Sequence, residues 1–413
     1  MKNPPQLLAP AGDFASVEAA LDHGADAVYV GIGPFNLRAH APNFTINDLP
    51  ELLDKVNSRN RQIYFALNIM PDPRQIDAIE SLLRQLRNDT LLPGAFIVSD
   101  PGVIHLCKEV LPDTPLHLST QTGTFNQRSL RFWQEQGIKR AVLPRELSLE
   151  QITELAGADI LETEIFIHGA MCVSVSGRCL MGAYFSGRHP NRGDCPQPCR
   201  WKYRISPLSA ETGTAIQQPW LDAEEDEKGT WLLNAKDLCT IGLLPDLVRT
   251  GVTALKIEGR NKSAHYIAAV VKTYRAALDL CLSRPQEYRV ADEWRSLLDT
   301  IDHRPYTTGF YGGDMRMQEV FTSKASATTR IVGVVKGHLA GGEPVIDVKN
   351  GFSPTETLEV LPVNQNRHPF SLTPEKCTDL SGNELKRIPS NRCIVLLGTP
   401  RLQTGDMLRL TCR

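Results

Sequence analysis

The chain has 413 residues, of which 41% are hydrophobic and 22% charged, and this composition excludes both a mini-protein and a wholly disordered chain. Its 45 basic and 47 acidic residues give a net charge of −2, so overall charge neither favours nor excludes a nucleic-acid ligand. No apolar run is long enough to cross a bilayer, and residues 1–10 lack a signal-peptide core. We therefore expect a cytoplasmic protein without a membrane partner. The oligomeric state stays open.

Short apolar runs alternate with helical patterns along residues 1–260. Eight runs have the length and composition of strands: Leu7–Pro10, Ala27–Gly31, Ile63–Asn68, Ala95–Ser99, Leu116–Thr120, Ala141–Pro144, Glu164–His168 and Ala254–Glu258. Asp13 is a predicted helix N-cap, and Ser148 to Gln151 is a predicted capping box. This order predicts an α/β fold, a (β/α)8 TIM-type barrel. An open doubly wound sheet is the alternative, but Gly31-Ile32-Gly33 lacks the third glycine of its fingerprint.

The barrel pattern is interrupted between predicted strands 7 and 8 by a segment much longer than the ~12 residues that a crossover helix needs. We place a cysteine-rich insertion at 169–235, inside a barrel domain of residues 1–285. After a linker at 286–320, the pattern becomes that of a small C-terminal antiparallel β-barrel domain at 321–413. Its predicted strands are Ile331–Val335, Val345–Val348, Leu358–Leu361, Cys393–Leu397 and Met407–Leu410.

Four of the ten cysteines lie close together in the insertion, with the spacing C-x6-C-x15-C-x3-C: Cys172, Cys179, Cys195 and Cys199. Such a group indicates metal or redox chemistry rather than disulfides in a chain without a secretion signal. Four thiolates can hold zinc or an iron–sulfur cluster, and the wide first gap favours a 4Fe-4S cluster. The spacing alone leaves the metal open. Cys239 is a reserve ligand, although we interpret it as a helix-packing residue.

The same segment combines positive charge with aromatic rings. From Cys172 to Arg204 there is one acidic residue, Asp194, against six basic ones: Arg178, Arg188, Arg192, Arg200, Lys202 and Arg204. The aromatic residues there are Tyr184, Phe185, Trp201 and Tyr203. Arginines suit phosphate contact, and aromatic rings suit base stacking. A solvated positive loop explains the charge equally well.

The carboxyl ends of the predicted strands form the mouth of such a barrel, where its chemistry collects. Three residues there are candidates for catalysis, Gln121, His168 and Glu258, and the last two can transfer protons. At the same ends, Arg145 and Arg260 can bind carboxylate or phosphate groups. No serine-hydrolase, zinc-protease or Walker motif is present in the sequence.

Residues 164–182 carry a recognisable pattern. The pattern E-x-F-x2-G-[SA]-[LIVM]-C-x4-G-x-C-x-[LIVM]-S runs from Glu164 to Gly182 and departs only at Gly182, where it has serine. Three further stretches are similar to the same family, namely Leu8 to Gly12, Cys195 to Trp201 and Leu255 to Arg260. The barrel thus resembles the collagenase-like peptidase family.

This resemblance implies a 4Fe-4S cluster on Cys172, Cys179, Cys195 and Cys199. Two C-terminal stretches, Val348 to Phe352 and Tyr306 to Phe310, are most similar to a branch of the family that modifies tRNA. That branch implies hydroxylation of C5 of the wobble uridine of tRNA to 5-hydroxyuridine, with prephenate as co-substrate. The alternatives are a peptidase, an rRNA cytidine hydroxylase and an accessory protein of ubiquinone hydroxylation.

The implied substrates assign roles to the basic residues. Prephenate is a dianion, so its site calls for arginine, and the candidates are Arg145, Arg178 and Arg260. For tRNA, we expect Arg200 and Trp201 to contact phosphate and base.

Overall fold

The computed structural model describes residues 4–39, 42–175, 177–201, 235–313, 327–365, 367–399 and 401–411. Several predicted features lie outside these ranges: residues 202–234 of the insertion, with Lys202, Tyr203 and Arg204, residues 314–320 of the linker, and residues 321–326 of the C-terminal domain. The predicted domain boundaries therefore stay predictions.

The first ten strands form one sheet. They are β1 (Gln6–Pro10), β2 (Ala27–Gly31), β3 (Gln62–Leu67), β4 (Ala95–Val98), β5 (Leu116–Leu118), β6 (Arg140–Val142), β7 (Glu162–Ala170), β8 (Asp237–Cys239), β9 (Ala254–Ile257) and β10 (Tyr306–Thr307). All of them except β8 and β10 are parallel neighbours, and they close into a barrel because β9 pairs with both β7 and β1. This confirms the predicted (β/α)8 fold.

Helices follow the barrel strands, and several of them begin at a side-chain cap. The helices are α1 (Phe14–Asp22), α2 (Leu49–Asn57), α3 (Pro73–Asn88), α4 (Pro101–Val110), α5 (Gln127–Glu135), α6 (Leu149–Gly157), α7 (Met181–Ser186), α8 (Leu244–Arg249), α9 (Ala264–Ser283) and α10 (Asp292–Asp299). Asp13 and Asp100 cap α1 and α4, and Ser148 forms the predicted capping box with Gln151 at α6. Among the described helices, none is long and apolar enough to span a membrane.

Two short strands extend the sheet beyond the barrel. β8 runs antiparallel to the end of β7, with Gly169 opposite Leu238, and β10 lies parallel to β8. A buried ion pair joins Asp237 of β8 to Arg304, which lies just before β10. The chain therefore returns from the insertion along the end of β7, which holds the insertion close to the mouth.

The C-terminal residues form a separate antiparallel sheet with its own core, as predicted. Its strands are β11 (Thr329–His338), β12 (Pro344–Val348), β13 (Leu358–Leu361), β14 (Phe370–Leu372), β15 (Lys376–Thr378), β16 (Arg392–Leu397) and β17 (Met407–Thr411). They lie in the order β14-β13-β17-β11-β12-β16-β15, as a half-barrel. Val332, Ile346, Leu358, Ile394 and Leu408 are fully buried on its inner face. Strands β14 and β15 were not predicted from the sequence, because each is only three residues long.

The C-terminal sheet packs against the outside of the barrel at α1 and α9. Leu361 and Met407 belong to the same apolar cluster as the barrel core. The ammonium group of Lys272 on α9 donates to the carbonyl oxygen of Asn364 at 2.8 Å. The two units therefore share a buried interface.

Candidate active site

A cavity of about 170 Å³ lies at the carboxyl ends of the barrel strands, beneath the cysteine-rich insertion. The strands and the turns after them contribute Gln121, Arg145, Lys256, Glu258 and Arg260. The loop after β2 contributes Arg38, and the insertion contributes Cys172, Cys179, Cys195 and Cys199. A cavity at this end of a (β/α)8 barrel is where such folds place their chemistry.

The four cysteines all line this one cavity and are free of disulfide bonds. Within the described part of the chain, no three His, Cys, Asp or Glu side chains lie close enough together to hold one metal ion. The thiols thus do not form the tight tetrahedral set that a single zinc ion requires. In a 4Fe-4S cluster each thiolate binds a different iron atom, so the sulfurs need not converge on one point, and a four-thiol cavity fits that group. Burial raises the pKa of the Cys195 thiol, and raises that of Cys199 to about 11.

One glycine allows the insertion to pack directly on the mouth. Gly177 has a φ of +78°, and a Cβ atom there would lie 2.5 Å from the carbonyl oxygen of Gln121. A side chain at position 177 would therefore both strain the backbone and push the insertion away from the barrel. This contact places the cysteine loop next to the turn that carries Gln121.

An ion pair joins two distant parts of the cavity wall. Arg38 donates to Oε1 of Glu258 at 2.6 Å, and the hydroxyl of Tyr29 donates to Oε2 at 3.2 Å. Burial alone would raise the pKa of Glu258, but Arg38, Arg145 and Arg260 outweigh it and lower the pKa to about 2. Glu258 is therefore an ionised anchor for arginines at neutral pH, rather than a proton donor.

Arg260 presents an unsatisfied donor to the cavity. Its Nη2 donates to Oδ1 of Asn36 at 2.7 Å, whereas its buried Nη1 has no hydrogen-bond partner. A side chain at Gly31 would collide with this guanidinium, so the glycine at the end of β2 makes room for it. The pKa of Arg260 is lowered to about 10, chiefly by burial of the guanidinium. A buried, charged donor without a partner favours an anionic ligand in the cavity.

Two further cations line the cavity and are held by aromatic rings. The guanidinium of Arg145 lies 3.8 Å from the ring centre of Phe166. The ammonium of Lys256 lies 4.4 Å from the ring centre of Tyr29 and donates to the buried Glu164 at 2.8 Å. Lys256 is therefore largely neutralised, and Arg145 retains more of its charge for a ligand.

Gln121 is the uncharged polar group best placed for a ligand. Its Oε1 accepts a hydrogen bond from Ser119 at 3.1 Å, while its buried Nε2 has no partner. Gln121 thus lies in the cavity wall, as predicted for a mouth residue, with one free donor.

His168 does not line the cavity, in contrast to the position expected from its place at a strand end. Its ring lies between Tyr266, Tyr274 and Tyr306, at centroid distances of 5.9, 5.5 and 5.4 Å. Burial lowers the pKa of His168 to about 3, so it stays neutral. A register shift between Phe166 and His168 in the pairing of β7 with β9 turns the ring outward. His168 therefore does not contact the cavity in which we expected it to act in catalysis.

Arg178, a predicted prephenate ligand, is exposed beside the turn at Gly123 and does not line the cavity, in contrast to Arg145 and Arg260. The residues expected to bind RNA lie on the insertion, outside the cavity wall, and Arg200 is half-buried in the turn that also carries Cys199. Trp201 is 40% exposed, and its indole donates to the carbonyl of Pro196 at 3.3 Å.

Trp201 belongs to a group of exposed rings that we call the aromatic strip: Tyr184, Phe185 and Trp201. The ring of Phe185 lies 5.3 Å from that of Tyr184 and 6.5 Å from that of Trp201. Tyr184 is 85% exposed and Phe185 49% exposed. The strip is carried by α7 and the turn at 198–200, next to the cavity-lining Cys179 and Cys199.

Cys239 lies apart from the four cysteines of the cavity. Its sulfur accepts a hydrogen bond from the hydroxyl of Tyr274 at 3.8 Å, and it is not part of the cavity wall. This position agrees with our interpretation of Cys239 as a packing residue.

Arg38 and Lys256 line the cavity and Asn36 holds Arg260, but none of the three was predicted from the sequence as a site residue. Arg38 and Asn36 belong to the loop after β2, several residues beyond the strand end at which we looked for site residues. Lys256 lies inside strand β9 rather than at its end. The available signal was the presence of Asn36 and Arg38 in a loop that follows a barrel strand.

The chain is similar to known proteins along most of its length. The model of "Peptidase family U32" matches residues 12–320, which include every residue named in the cavity wall. The chain belongs to peptidase family U32. The resemblance found in the sequence is thereby confirmed, and the four cysteines lie within the region that defines the family.

Several relatives of this family member have names that describe RNA hydroxylation. It is 36% identical over 385 residues to "tRNA hydroxylation protein P1" of Bacillus subtilis (strain 168), covering 92% of this chain and 88% of the relative. It is 32% identical over 439 residues to "tRNA hydroxylation protein P" of Escherichia coli (strain K12), covering 96% and 94%. It is 33% identical over 291 residues to "23S rRNA 5-hydroxycytidine C2501 synthase" of the same bacterium, covering 70% and 42%.

Proposed function

We propose that this protein is an RNA-modifying hydroxylase that acts on C5 of the wobble uridine of tRNA, with prephenate as co-substrate and a 4Fe-4S cluster as cofactor. The observation that carries the proposal is a single cavity lined by four free thiols and three arginines at the mouth of the barrel. The names of two relatives that match nearly the full chain support tRNA as the RNA.

The cluster would be held by Cys172, Cys179, Cys195 and Cys199. When bound, it would supply single-electron redox chemistry beside the cavity. The chain holds these thiols near the mouth through the close approach of Gly177 to Gln121. Arg38 and Arg200 lie near Cys172, and their positive charges offset the negative charge of thiolate ligands.

The arginines of the cavity support a dianionic co-substrate. Prephenate has two carboxylates, and each is best bound by a guanidinium that is not already neutralised. The unpartnered Nη1 of Arg260 supplies one such group. Arg145 supplies a second, because it stacks on Phe166 and forms no ion pair with any described residue. Arg38 is neutralised by Glu258 and so positions the wall of the cavity.

The uracil base would be recognised by Gln121, and the RNA would reach the cavity from the side of the insertion. The free Nε2 of Gln121 can donate to a carbonyl oxygen of uracil. A wobble base lies in a loop, so little pairing has to be broken before it enters the cavity. The aromatic strip next to the cavity offers stacking surface for neighbouring bases, and Arg178 and Arg200 lie on the same insertion.

Comparison of tRNA nucleosides by mass spectrometry tests this function. A deletion strain should lack the wobble 5-hydroxyuridine derivatives, and the wild-type gene should restore them. Cys172→Ala and Arg260→Met should fail to restore them, whereas Cys107→Ala, a buried core position away from the cavity, should succeed. Unchanged nucleosides in the deletion strain would reject the proposal. Proteolysis by purified protein that survives removal of iron would instead support a peptidase.

A further inference from the structure

The C-terminal sheet is attached to the barrel on its mouth side at one end. The backbone N–H of Thr329 donates to the carbonyl oxygen of Thr300 at 3.3 Å. Nη1 of Arg409 lies 3.1 Å from Oγ1 of Thr300 and 3.2 Å from Nε2 of His265. His265 is in the first turn of α9, which follows β9. Helices after barrel strands start at the mouth face, so this end of the sheet lies on that face.

The other end of the same sheet lies toward the opposite face of the barrel. Gln365 donates to the carbonyl oxygen of His23 at 2.7 Å, and His23 is the residue at which α1 ends. A side chain at Gly405 would lie 3.0 Å from Asp22. The strands of the C-terminal sheet thus run from the mouth face to the opposite face.

Basic residues collect at the mouth-side end. The segment 349–352 follows β12 there, since the backbone N–H of Lys349 donates to Val332 near the start of β11. Arg330 donates to the carbonyl oxygen of Gly351 at 3.2 Å, Arg392 faces Val348 across the ladder, and Arg387 precedes Ile388, which bridges to Phe352. We call these four exposed residues the basic end: Arg330, Lys349, Arg387 and Arg392.

The charge of the basic end is not balanced by nearby carboxylates. Lys349 pairs with Asp347 at 2.8 Å. In the ranges that the structure describes, Arg330, Arg387 and Arg392 take part in no ion pair. Glu359, on β13, already forms an ion pair with Arg409 at 2.6 Å. Glu356, in the loop after residues 349–352, offsets one charge at most.

We propose that the basic end binds the phosphate backbone of the anticodon stem while the wobble base of the loop occupies the cavity. This inference depends on the proposed function, because it takes the same RNA as ligand. A stem presents closely spaced phosphates, and arginine forks bind phosphate oxygens without reading the sequence. The basic end and the cavity lie on the same face of the molecule, so one hairpin can contact both. The contact contributes affinity and orientation away from the reacting base.

The test uses two full-length variants that lose the same charge at opposite ends of the sheet. The first is Arg330→Gln/Arg387→Gln/Arg392→Gln. The control is Arg367→Gln/Lys376→Gln/Arg401→Gln, because Arg367 contacts Arg401 near the Gln365 end, and Lys376, which forms an ion pair with Glu384 at 3.0 Å, lies opposite Leu397 at the far end of β16. Dissociation constants are measured over a range of salt concentrations. The ligands are an anticodon stem–loop hairpin and a single-stranded oligonucleotide of the loop sequence.

The first variant should bind the hairpin about tenfold more weakly, and its log–log salt slope should fall by about 2 to 3, because each lost phosphate contact removes about 0.9. The control should match the wild type with the hairpin. All three proteins should bind the single-stranded oligonucleotide equally, and circular dichroism should show the same fold.

The possible outcomes distinguish a failure of the proposed function from a failure of the role assigned to the basic end. A wild-type protein that neither binds the hairpin nor hydroxylates it contradicts the proposed function. A wild-type protein that does both, with a first variant indistinguishable from the control, overturns only the role of the basic end. A first variant that keeps its hairpin affinity but loses binding of polyglutamate would assign the basic end to an acidic protein partner and would also overturn the inference.

Discussion

Arg38 and Glu258 lie 220 positions apart and form an ion pair of 2.6 Å in the wall of the candidate active site. Their side chains are 30% and 12% exposed, respectively, so water screens the pair only partly. The pair joins the loop after β2 to the end of β9 and thereby holds two sides of the mouth together. Its loss should change both the stability of the barrel and its response to pH.

Arg38→Gln should destabilise the protein by about 1 to 3 kcal/mol at neutral pH, because Glu258 stays buried and loses its main partner. The folded-state pKa of Glu258 lies at about 2, below its ordinary value of 4.5. Such a carboxylate contributes its full stability above pH 4.5 and loses it as the pH falls toward 2. The difference in unfolding free energy between the two proteins should therefore shrink below pH 4.5.

Urea denaturation at several pH values measures this difference. Arg84→Gln is the control, because Arg84 pairs with Glu80 on the exposed face of α3 and such pairs contribute about 0.3 to 0.5 kcal/mol. If Arg38→Gln cost no more than Arg84→Gln, the ion pair would not stabilise the mouth.

The sequence allowed the barrel to be predicted because its strands are short apolar runs separated by capped helices. The predicted run Ala27–Gly31 and the strand β2 coincide, and Asp13 and Ser148 cap helices as expected. Local chemistry sets these features. β8, by contrast, has three residues and forms only because the chain returns from the insertion along β7. No local pattern encodes such a contact.

The site was predicted less completely than the fold, and His168 shows why. Strict alternation from Glu164 and Phe166 would point His168 into the barrel. The register shift after Phe166 reverses that direction, and the ring packs against tyrosines of α9 instead. A shift of one residue depends on the pairing between strands, which a single sequence does not show. Arg38 was missed for a similar reason, since its partner Glu258 is remote in the chain.

Lys256→Met should destabilise the barrel by about 3 kcal/mol, the lower end for a broken buried pair, because Glu164 loses its closest partner and keeps only Arg140 at 3.4 Å. Lys256 and Glu164 are 2.8 Å apart, with side-chain exposures of 5% and 1%. The double variant Lys256→Met/Glu164→Gln should lose less stability than the sum of the single variants, because both members of the pair are removed together and Arg140 keeps Glu162 as a partner at 2.8 Å. Unfolding free energies of all four proteins in urea measure the coupling, and strict additivity would show that the pair is not coupled.

Gly177→Ala should detach the insertion from the mouth and lower the iron content of anaerobically purified protein. The new methyl group would lie 2.5 Å from the carbonyl oxygen of Gln121, which is backbone and cannot turn aside. Gly187→Ala is the matched control: Gly187 also has a positive φ, +68°, but nothing lies within 4 Å of its Cβ position. Iron analysis and thermal unfolding compare the two. Equal iron content in both variants would contradict the proposed docking of the cysteine loop.

Alanine substitution of each cavity cysteine should lower the iron content, whereas Cys239→Ala should not. Cys172, Cys179, Cys195 and Cys199 line the cavity, and Cys239 contacts Tyr274 outside it. A cluster with four thiolate ligands is weakened when any one is removed. Iron and sulfide analysis with the visible absorption spectrum measures the effect. A loss of iron in Cys239→Ala with retention in Cys199→Ala would replace one member of the ligand set.

Phe185→Ala and Trp201→Ala should each weaken binding of a single-stranded oligonucleotide of the loop sequence by about 1 to 3 kcal/mol, if one base stacks on each ring. The centroid distance of 6.5 Å between the two rings indicates one continuous surface, so the double variant should lose more than either single one. Phe132→Ala is the control, because Phe132 is 52% exposed on α5, where it packs on Trp133. Fluorescence anisotropy gives the dissociation constants. Equal affinity in the wild type and the double variant would exclude the aromatic strip from RNA binding, and the cavity alone would then have to hold the base.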